Sequence, residues 1–443
     1  VNRAPRDRQD RFRSYSRVVR TAPLTWHAPT SEDDVVAAVR AATRLKVVGA
    51  GHSFSTIAEP EQHAMTLDGL TGVLHLDADA RLVTVRAGTR LRDLSAALLA
   101  QGWTLPVVGS IQAQSVAGAI ATGTHGSSLV HGNLATLVHA LRLVDGRGEV
   151  VELGPDDPRL VGARVHLGAL GVVTQATLRV EPAFRLRQEV EHVPVTEVDV
   201  AAVARTAEYV KVWWLPGASR AQVVRYTRTD EPATRRPSTR TLRWVDDNLM
   251  HRGLFHGLVA LGHRRPGWAH GINDRLSASY LGPRLQVAQS SLILNTPMPL
   301  RHRETEAALP LDQAQRAYDR VVALVRDERL AADFPLEVRF VRGDDGWLSP
   351  AYGGDTCQIG AYATDGPHRA RYFAGFWEAM AGLDARPHWG KELHQQGAEI
   401  APLYPAYRDF LALRDALDPE RVFDNAFLRQ VLGGSEPSAS AAR

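Results

Sequence analysis

The sequence Val48-Gly49-Ala50-Gly51-His52-Ser53-Phe54 decides the fold. The apolar run that enters it, Lys46-Val47-Val48, predicts a short buried strand. A strand followed by two glycines and a later acid, Asp68, has the outline of a dinucleotide-binding fingerprint. However, the third glycine position holds Phe54, and residues 55–60 start a helix poorly, whereas the fingerprint needs a helix N-terminus to bind the pyrophosphate. The sequence therefore disfavours a Rossmann-type NAD site.

Two further segments, from Val108 to Ser128 and from Gly168 to Thr174, consist mainly of small residues. Three such segments in one region predict that the backbone approaches a ligand closely, because successive exposed N–H groups form anion-binding concavities. Ordinary tight turns between strands are the alternative for each segment taken alone. Together the segments favour a wall of backbone donors that suits a pyrophosphate and a polar ring system.

The first part of the chain predicts an α+β domain. One helix is predicted from a cap at Thr30 or Ser31 to about Arg44, and a second near Leu91–Ala100. Asp145-Gly146-Arg147-Gly148 predicts a hairpin turn. The predicted strands are Met65–Leu67, Leu82–Val85, Leu137–Val144, Glu149–Leu153 and Thr177–Val180.

From about Phe184, aromatic residues and alternating strands predict a second α+β domain. Its predicted strands are Tyr209–Trp214, Val223–Tyr226, Leu336–Val341 and Thr356–Ala361, its helices lie near Gln313–Arg329 and Ala370–Ala381, and Asp230–Arg240 is a loop. A helix near Tyr407–Leu417 and a Gly/Ser/Ala-rich tail, expected to be disordered, complete the chain. We therefore divide the chain into domains at 1–183 and 184–385, a C-terminal segment at 386–432 and a tail at 433–443.

The composition excludes several classes of protein. The net charge of the 443 residues is only +3, with arginines and acids interspersed, so no basic stripe indicates a nucleic acid partner. No apolar run reaches the roughly 18 residues of a membrane span, and the Arg-rich residues 1–20 do not form a secretory signal. The single cysteine, Cys357, excludes an internal disulfide and a Cys-rich metal site, so we expect a cytoplasmic setting and no metal. Nothing in the sequence indicates the oligomeric state.

Lysine is almost absent. Only Lys46, Lys211 and Lys391 occur among the 52 basic residues, and the others are arginine. A lysine that persists on this background is expected to be needed for its compact ammonium and adjustable pKa. This favours a functional role for Lys391, with an ordinary surface lysine as the alternative.

Glu337 and Arg339 lie on the predicted strand Leu336–Val341. Residues two apart on a strand share a face, so this carboxylate and guanidinium are expected to point into one pocket. An ion pair on a solvent-exposed face is the alternative. The apolar neighbours indicate a mostly buried strand, and buried charges need partners or a function.

Six motifs resemble the flavoproteins of the vanillyl-alcohol-oxidase type, and within them the sugar-lactone and alditol oxidases. They are Val48–Phe54, Ser115–Gly126, Leu167–Thr174, Trp347–Gly353, Arg386–Lys391 and Leu417–Pro419. The match spans nearly the whole chain in the right order. The resemblance implies a two-domain α+β fold: a PCMH-type FAD-binding domain, an α+β substrate domain over the flavin, and a C-terminal segment that returns to the FAD domain.

The resemblance also implies that His52 carries FAD covalently through an 8α-histidyl link, since an imidazole nitrogen can add to the flavin 8-methyl position. A histidine that caps a turn is the alternative. His125 is either a flavin contact or a satisfied polar group of the core. The other expected cofactor-binding residues are Gly49, Ala50, Gly51, Ser53, Gly109, Ser110, Ser115, Gly118, Ala119, Thr122, Gly123, Thr124, Gly171, Val172 and Val173.

The resemblance implies hydride transfer from a C–H bond beside a substrate hydroxyl to flavin N5. Arg339 and Lys391 would polarise the hydroxyl or help remove its proton, and Glu337 would orient the substrate. His388 would bind the substrate or orient its neighbours. Electrons would pass to oxygen, or to another acceptor in a dehydrogenase. A flavin-retaining binding protein is the non-enzymatic alternative.

Substrate contacts are expected from Ser115, Glu306, Gly360 and Tyr362, with a buried, backbone-bonded serine as the alternative for Ser115. Gly360 and Tyr362 stand where alditol oxidase has a histidine and a threonine, and Ala307 stands where relatives have a tyrosine. The loss of a ring and an imidazole predicts a wider pocket. A cyclitol or glycoside substrate is therefore a hypothesis beside a simple polyol or sugar lactone.

Overall fold

The computed structural model describes residues 12–234, 255–279, 286–296, 301–330, 332–366 and 368–433. In this part of the chain the helices are Glu32–Ala41, Leu91–Leu99, Val116–Ala121, Arg159–Arg164, Val200–Val203, Phe255–Arg264, Ala269–Ser279, Ser290–Ile293, Ala314–Asp327, Arg369–Ala379, Gly397–Ile400, Tyr407–Leu417 and Ala426–Leu432, with 3-10 helices at Leu134–Leu137, Val195–Glu197, Pro266–Trp268 and Ala401–Leu403. Among these described helices, none has the length and apolar character needed to cross a bilayer. The predicted loop beyond residue 234 and the predicted tail beyond residue 433 lie outside the described residues.

The helix Glu32–Ala41 begins at a capping box. The Ser31 hydroxyl accepts a hydrogen bond from the Asp34 N–H at 3.1 Å, and the Asp34 carboxylate accepts one from the Ser31 N–H at 3.0 Å. This reciprocal pair satisfies donors that lack a partner at a helix start, and the acids of the first turn suit the positive end of the helix dipole. The predicted cap at Ser31 is confirmed.

Two main sheets form the first domain. A parallel sheet has the strand order Thr25–His27, His63–Met65, Leu45–Val47, and an antiparallel sheet has the order Val150–Leu153, Val138–Val144, Val172–Arg179, Leu82–Arg86, Val73–Asp77. Two short strand pairs join Phe12–Arg13 to Arg20–Thr21 and Trp103–Thr104 to Glu181–Pro182. The strand Leu45–Val47 leads into the glycine loop, and no helix follows that loop before His63. The rejection of a Rossmann fingerprint is therefore confirmed.

The strand Val172–Arg179 corrects a predicted boundary. The sequence predicts a strand only from Thr177, whereas the structure begins it inside the small-residue segment 168–174. Its first two residues are β-branched and pair with the strand Val138–Val144, and a bulge after Val173 accommodates the change of register. Gly171 precedes it with a φ of +156°, and a side chain there would meet a backbone carbonyl of the neighbouring strand.

An antiparallel sheet forms the base of the second domain. Its described strands have the order Gln286–Gln289, Arg185–Pro194, Arg220–Thr229, Tyr209–Trp214, Leu336–Val341, Thr356–Ala363, Arg303–Pro310, Arg386–Pro387. The register places Glu337 opposite Gly360, and Gly360 opposite Glu306. Every residue of Leu336–Val341 is buried, as the sequence predicts for that strand.

Two large hydrophobic cores correspond to two domains. The first core includes Phe410, Phe423 and Leu428, which belong to the C-terminal segment. The second core contains side chains of the eight-stranded sheet and of the helices packed on it, such as Val338 and Phe376. The C-terminal segment thus packs with the first domain. The division at residues 183 and 385 remains a prediction, which the separation of the cores supports.

Candidate active site

Two neighbouring cavities lie on either side of the glycine loop. The larger cavity has a volume of about 720 Å³ and the smaller a volume of about 510 Å³, and both volumes include the space at the opening to solvent. Residues 52–54 line the larger cavity, and residues 47–49 line the smaller. The small-residue segment from Val108 to Ser128 lines both cavities as well. The three predicted binding segments are therefore brought together, with the segment 168–174 at the smaller cavity.

The expected cofactor residues divide between these cavities. His52, Ser53, Gly109, Ser110, Thr122, Thr124 and His125 line the larger cavity, and Gly49, Ser115, Gly118, Gly171 and Val173 line the smaller. Ala50, Gly51, Ala119, Gly123 and Val172 line neither of the two. Ala119 and Val172 are fully buried in the core, and Gly51 adopts a φ of +67°, which favours glycine in the turn.

His52 presents a buried nitrogen to the larger cavity. Its Nδ1 atom is buried and has no hydrogen-bond partner within the described part of the chain. Burial and, to a smaller extent, the nearby Arg90 lower the pKa of His52 to about 4, so the imidazole is neutral at pH 7. The ring of Tyr15 stacks on it, with the centroids 5.0 Å apart and the planes 28° apart. A neutral, oriented imidazole is the form that can act as a nucleophile.

One face of the second domain's sheet closes the larger cavity. Glu337 and Arg339 lie on it, with Arg339 Nε 3.4 Å from Glu337 Oε2. The prediction that these two side chains share a face is confirmed. Tyr362, on the neighbouring strand Thr356–Ala363, and Glu304, on the strand Arg303–Pro310 beyond it, line the same cavity. Three strands therefore contribute charged or phenolic groups to one wall.

Glu337 is a fixed anion. Its Oε1 accepts a hydrogen bond from Trp213 Nε1 at 2.8 Å and lies 3.7 Å from Lys211 Nζ, and its Oε2 accepts one from the Tyr362 hydroxyl at 2.8 Å. Burial raises the pKa of Glu337, but Arg339 and Lys211 outweigh it and hold that pKa below its usual range. Both carboxylate oxygens are thus engaged by neighbouring groups.

Glu306 holds the Arg339 guanidinium in place. Arg339 Nη2 donates to Glu306 Oε2 at 3.0 Å, and His125 Nε2 lies 2.6 Å from Glu306 Oε1. His125 Nδ1 lies 2.9 Å from the Gly126 carbonyl, which can only accept, so Nδ1 carries a hydrogen. The His125 ring thus lies between the Gly126 carbonyl and the Glu306 carboxylate. Burial raises the pKa of Glu306, but Arg339 and His125 outweigh it and lower that pKa.

Lys391 is a cation of the larger cavity whose charge is readily lost. Its Nζ pairs with the Glu304 carboxylate and lies 3.7 Å from Glu306 Oε2. Burial lowers the pKa of Lys391 to about 7. His388 lies beside it; its Nδ1 accepts from the Gly390 N–H at 3.0 Å, and burial lowers its pKa to about 4. The neutral His388 ring therefore carries its hydrogen on Nε2.

The four expected substrate residues, Ser115, Glu306, Gly360 and Tyr362, lie in different positions relative to the two cavities. Tyr362 lines the larger cavity and covers Gly360, where a β-carbon would lie 3.0 Å from the Tyr362 hydroxyl. Glu306 is fully buried behind Arg339. Ser115 lines the smaller cavity, where its hydroxyl accepts from the Gly118 N–H at 3.3 Å and caps the helix Val116–Ala121.

The expectation that the loss of a ring at Ala307 widens the pocket is wrong. This residue points to the opposite face of its strand and belongs to the second hydrophobic core. A ring at that position would therefore not enter the cavity. The Tyr362 phenol occupies the space over Gly360, so the glycine does not enlarge the cavity either.

Sequence reasoning misses several groups that the fold brings to these cavities. They are Phe54, Gln114, Lys211, Trp213, His302, Glu304 and Thr296 around the larger cavity, and Asp68, Arg90 and His166 at the smaller. The rarity of lysine was a usable signal for Lys211. The others have no distinguishing local pattern, because strand register and loop packing bring them into place.

His125, Glu306 and His388 form a buried group whose ligand atoms lie within 4.8 Å of one another. This is compact enough for a metal ion. However, Arg339 and Lys391 lie 3.0 Å and 3.7 Å from Glu306 Oε2, and these cations compete for the same carboxylate. The expectation that no metal is required stays a prediction.

Comparisons with known proteins identify the class. The family model described as FAD binding domain matches residues 23–154. Cholesterol oxidase from B. sterolicum has the same fold, with a TM-score of 0.81 at 16% identity and coverage of 95% of this chain and 96% of that chain. The protein is an FAD-dependent oxidoreductase, and the predicted α+β fold of PCMH type is confirmed.

The family follows from the remaining matches. The model for D-arabinono-1,4-lactone oxidase matches residues 176–431. L-gulono-1,4-lactone dehydrogenase of Mycobacterium tuberculosis is 36% identical over 422 residues, which cover 93% of this chain and 96% of the relative. Alditol oxidase of a Streptomyces species is 32% identical over 426 residues, covering 92% and 95%. The chain belongs to the D-arabinono-1,4-lactone oxidase family.

Proposed function

We propose that the protein oxidises a CH–OH group of an uncharged polyol, sugar lactone or related sugar-like molecule by hydride transfer to FAD, in the cytoplasm. The observation that carries the proposal is the larger cavity, in which the charged face of the sheet meets the His52 loop. Relatives named for gulonolactone and alditol chemistry support the same substrate class. The cyclitol or glycoside hypothesis stays a prediction, although Ala307, one of the positions on which it was based, belongs to the second hydrophobic core.

The charges around the cavity favour a neutral substrate. The carboxylates of Glu304, Glu306 and Glu337 are matched by three cations, Lys211, Arg339 and Lys391. An acidic substrate would add an unmatched negative charge to a buried site, which is costly. Hydroxyl groups can instead hydrogen-bond to the charged groups without changing the balance.

FAD fits the two cavities. The His52 Nδ1 atom is buried without a partner in the larger cavity, and the glycines of the smaller cavity leave room for a ligand close to the backbone. When bound, FAD supplies the hydride acceptor. Ser110, Gln114 and Thr124 line the cavity between the loop and the sheet, where they can hold the polar edge of a ring system.

We further propose that the unpartnered His52 nitrogen forms the covalent link. His52 would hold the cofactor through a bond between this nitrogen and the flavin 8-methyl carbon, formed with loss of one methyl C–H bond and the imidazole N–H bond. The two protons and two electrons released in total would be taken up by dioxygen as hydrogen peroxide. The lowered pKa of His52, about 4, keeps the nitrogen lone pair free for this step.

The residues on this face of the sheet have different roles towards the substrate. Arg339 is fixed by two carboxylates and can hold a hydroxyl oxygen. Glu337 orients substrate hydroxyls as a hydrogen-bond acceptor, since its lowered pKa makes it a poor base. Lys391, with a pKa of about 7, is the group that can take the hydroxyl proton at neutral pH.

The first test is the colour of the purified protein before and after acid precipitation. Yellow colour retained in the pellet is expected, and the His52→Ala variant should release it to the supernatant. Release from the unchanged protein would contradict the covalent link. A colourless protein that takes up no added FAD would contradict the proposed function.

The substrate class is tested by anaerobic reduction of the flavin. L-gulono-1,4-lactone and xylitol are the neutral probes, and gulonate, the open-chain acid of the same lactone, is the matched charged control. We expect at least one neutral probe to bleach the flavin and gulonate to fail. Readmitting oxygen then distinguishes the two acceptors, because an oxidase recovers its colour rapidly and a dehydrogenase needs an added acceptor.

A further inference from the structure

The smaller cavity contains a buried hydrogen-bond donor that has no partner in the described ranges of the chain. His166 lines this cavity and is only 5% exposed. Its Nδ1 accepts a hydrogen bond from the Gly168 N–H at 3.1 Å, so the hydrogen of the neutral ring lies on Nε2. Nε2 is buried and has no hydrogen-bond partner among the residues that the structure describes. A buried donor in this state is costly unless a ligand supplies the acceptor.

The surroundings keep His166 neutral. Burial and, to a smaller extent, the ammonium group of Lys46 lower the pKa of His166 to about 4. Lys46 is itself buried, and its Nζ donates to the Phe423 carbonyl at 3.3 Å. At neutral pH the ring therefore keeps its single hydrogen on Nε2, and this nitrogen can act only as a hydrogen-bond donor.

The C-terminal motif at Asp418 holds Lys46 in this position. The Asp418 carboxylate accepts hydrogen bonds from the N–H groups of Val422 and Phe423, at 2.7 and 3.0 Å. This turn directs the Phe423 carbonyl towards Lys46. The motif Leu417–Pro419, which the larger cavity does not use, is thereby connected to the smaller cavity.

The position of the cavity identifies the ligand. The flavin end of the cofactor must reach His52 in the larger cavity, and the smaller cavity lies on the other side of the same loop. The Asp68 carboxylate, the acid that lines the smaller cavity, is engaged by Arg90 at 2.6 Å. With Asp68 engaged and no acceptor for His166 Nε2 in the described part of the chain, a molecule bound in this cavity can supply one.

We propose that His166 is a cofactor-binding residue whose Nε2–H donates a hydrogen bond to an acceptor atom on the adenosine monophosphate half of FAD. This inference rests on the FAD-dependent function proposed above. It assigns to the smaller cavity the part of the cofactor that FMN lacks.

The test uses the full chain carrying His52→Ala, in which the flavin is removable whether or not the natural link forms. FAD, ADP and FMN are titrated into the flavin-free protein, and binding is followed by flavin fluorescence or calorimetry. His166→Leu should weaken FAD and ADP binding by about tenfold or more, the effect of losing a buried hydrogen bond to a ligand. FMN binding should stay unchanged. His166→Gln, which keeps an N–H donor, should restore much of the FAD affinity.

His139→Leu is the matched control. His139 also has a buried, unpartnered ring nitrogen but lines neither cavity, so its loss should leave all three affinities unchanged. If His166→Leu does not fold, the side-chain N–H resonances of the His52→Ala protein replace it: ADP should protect one imidazole N–H from exchange, and His166→Gln should lack that signal.

The outcomes separate the two proposals. If the His52→Ala protein binds no FAD at all, the proposed function fails and this inference fails with it. If FAD binds and His166→Leu binds ADP as tightly as the parent, or loses FMN equally, the inference alone is overturned. Absence of a protected N–H with ADP would also overturn it.

Discussion

At the scale of single residues, Lys391 is the group whose ionisation should govern the reaction near neutral pH. Glu304 and Glu306 face it, yet burial lowers its pKa to about 7. As the pH rises through 7, Lys391 loses its proton and can accept one from the substrate hydroxyl. We therefore expect kcat/KM to rise with pH through about 7.

In the Lys391→Met variant, kcat/KM should no longer rise near pH 7. Its kcat/KM should also be about 100-fold lower, which is the usual contribution of a positioned acid or base. Lys211→Met removes another buried lysine of the same site and should retain the rise near pH 7. A pH profile of kcat/KM for the three proteins is the measurement. An unchanged profile in Lys391→Met would assign the ionisation to another group.

Residue-level prediction worked where sequence distance and spatial distance coincide. Glu337 and Arg339 are two apart on one strand, so the period of a strand was sufficient to pair them. Lys211 and Glu304 reach the same site only through strand register, and His166 only through the fold of a glycine loop. No local pattern encodes those contacts.

At the scale of elements, the strand Thr356–Ala363 holds Tyr362 over Gly360. A β-carbon at Gly360 would lie 3.0 Å from the Tyr362 hydroxyl, which donates to Glu337 at 2.8 Å. Gly360→Ala should therefore displace the phenol, lower the free energy of unfolding by about 1–3 kcal/mol and raise KM.

Thermal unfolding and steady-state kinetics test this displacement. In a Tyr362→Phe background, which lacks the hydroxyl, Gly360→Ala should have a smaller effect on KM, because the two positions are in contact. Gly354→Ala is the control, since the space around its β-carbon is open. Equal effects of Gly360→Ala in both backgrounds would show that the contact does not matter.

Elements with a clean apolar period were predicted closely. The strands Tyr209–Trp214 and Leu336–Val341 and the helix Tyr407–Leu417 have the predicted bounds. The start of Val172–Arg179 was wrong because the strand begins within a glycine-rich turn, where small residues conceal the change from turn to strand. Tertiary pairing, rather than local propensity, sets that boundary.

At the scale of the whole molecule, the C-terminal helix Ala426–Leu432 completes the first core. Phe427, Leu428, Val431 and Leu432 are at most 2% exposed. Burying each such side chain contributes about 1.5–3 kcal/mol, so their sum is comparable to the roughly 5–15 kcal/mol that stabilises a typical domain.

A chain ending at Asn425 should therefore lose cooperative thermal unfolding and FAD binding. A chain ending at Gly433, which retains the helix and lacks only the tail predicted to be disordered, should unfold at the same temperature as the full protein. Cooperative unfolding of the shorter chain would show that the first domain is stable without its C-terminal segment.

The placement of the lysines has a consequence for chemical modification. Lys46 and Lys211 are 4% and 5% exposed, and the Lys391 side chain is 15% exposed. These are all the lysines of the chain, and the arginines that replace lysine elsewhere do not react with acylating esters. Lys391 also has the low pKa of a good nucleophile. Acylation of lysine side chains, which usually takes place all over a protein's exterior, is therefore expected in this protein mainly at Lys391, and a ligand bound in the larger cavity should protect against it.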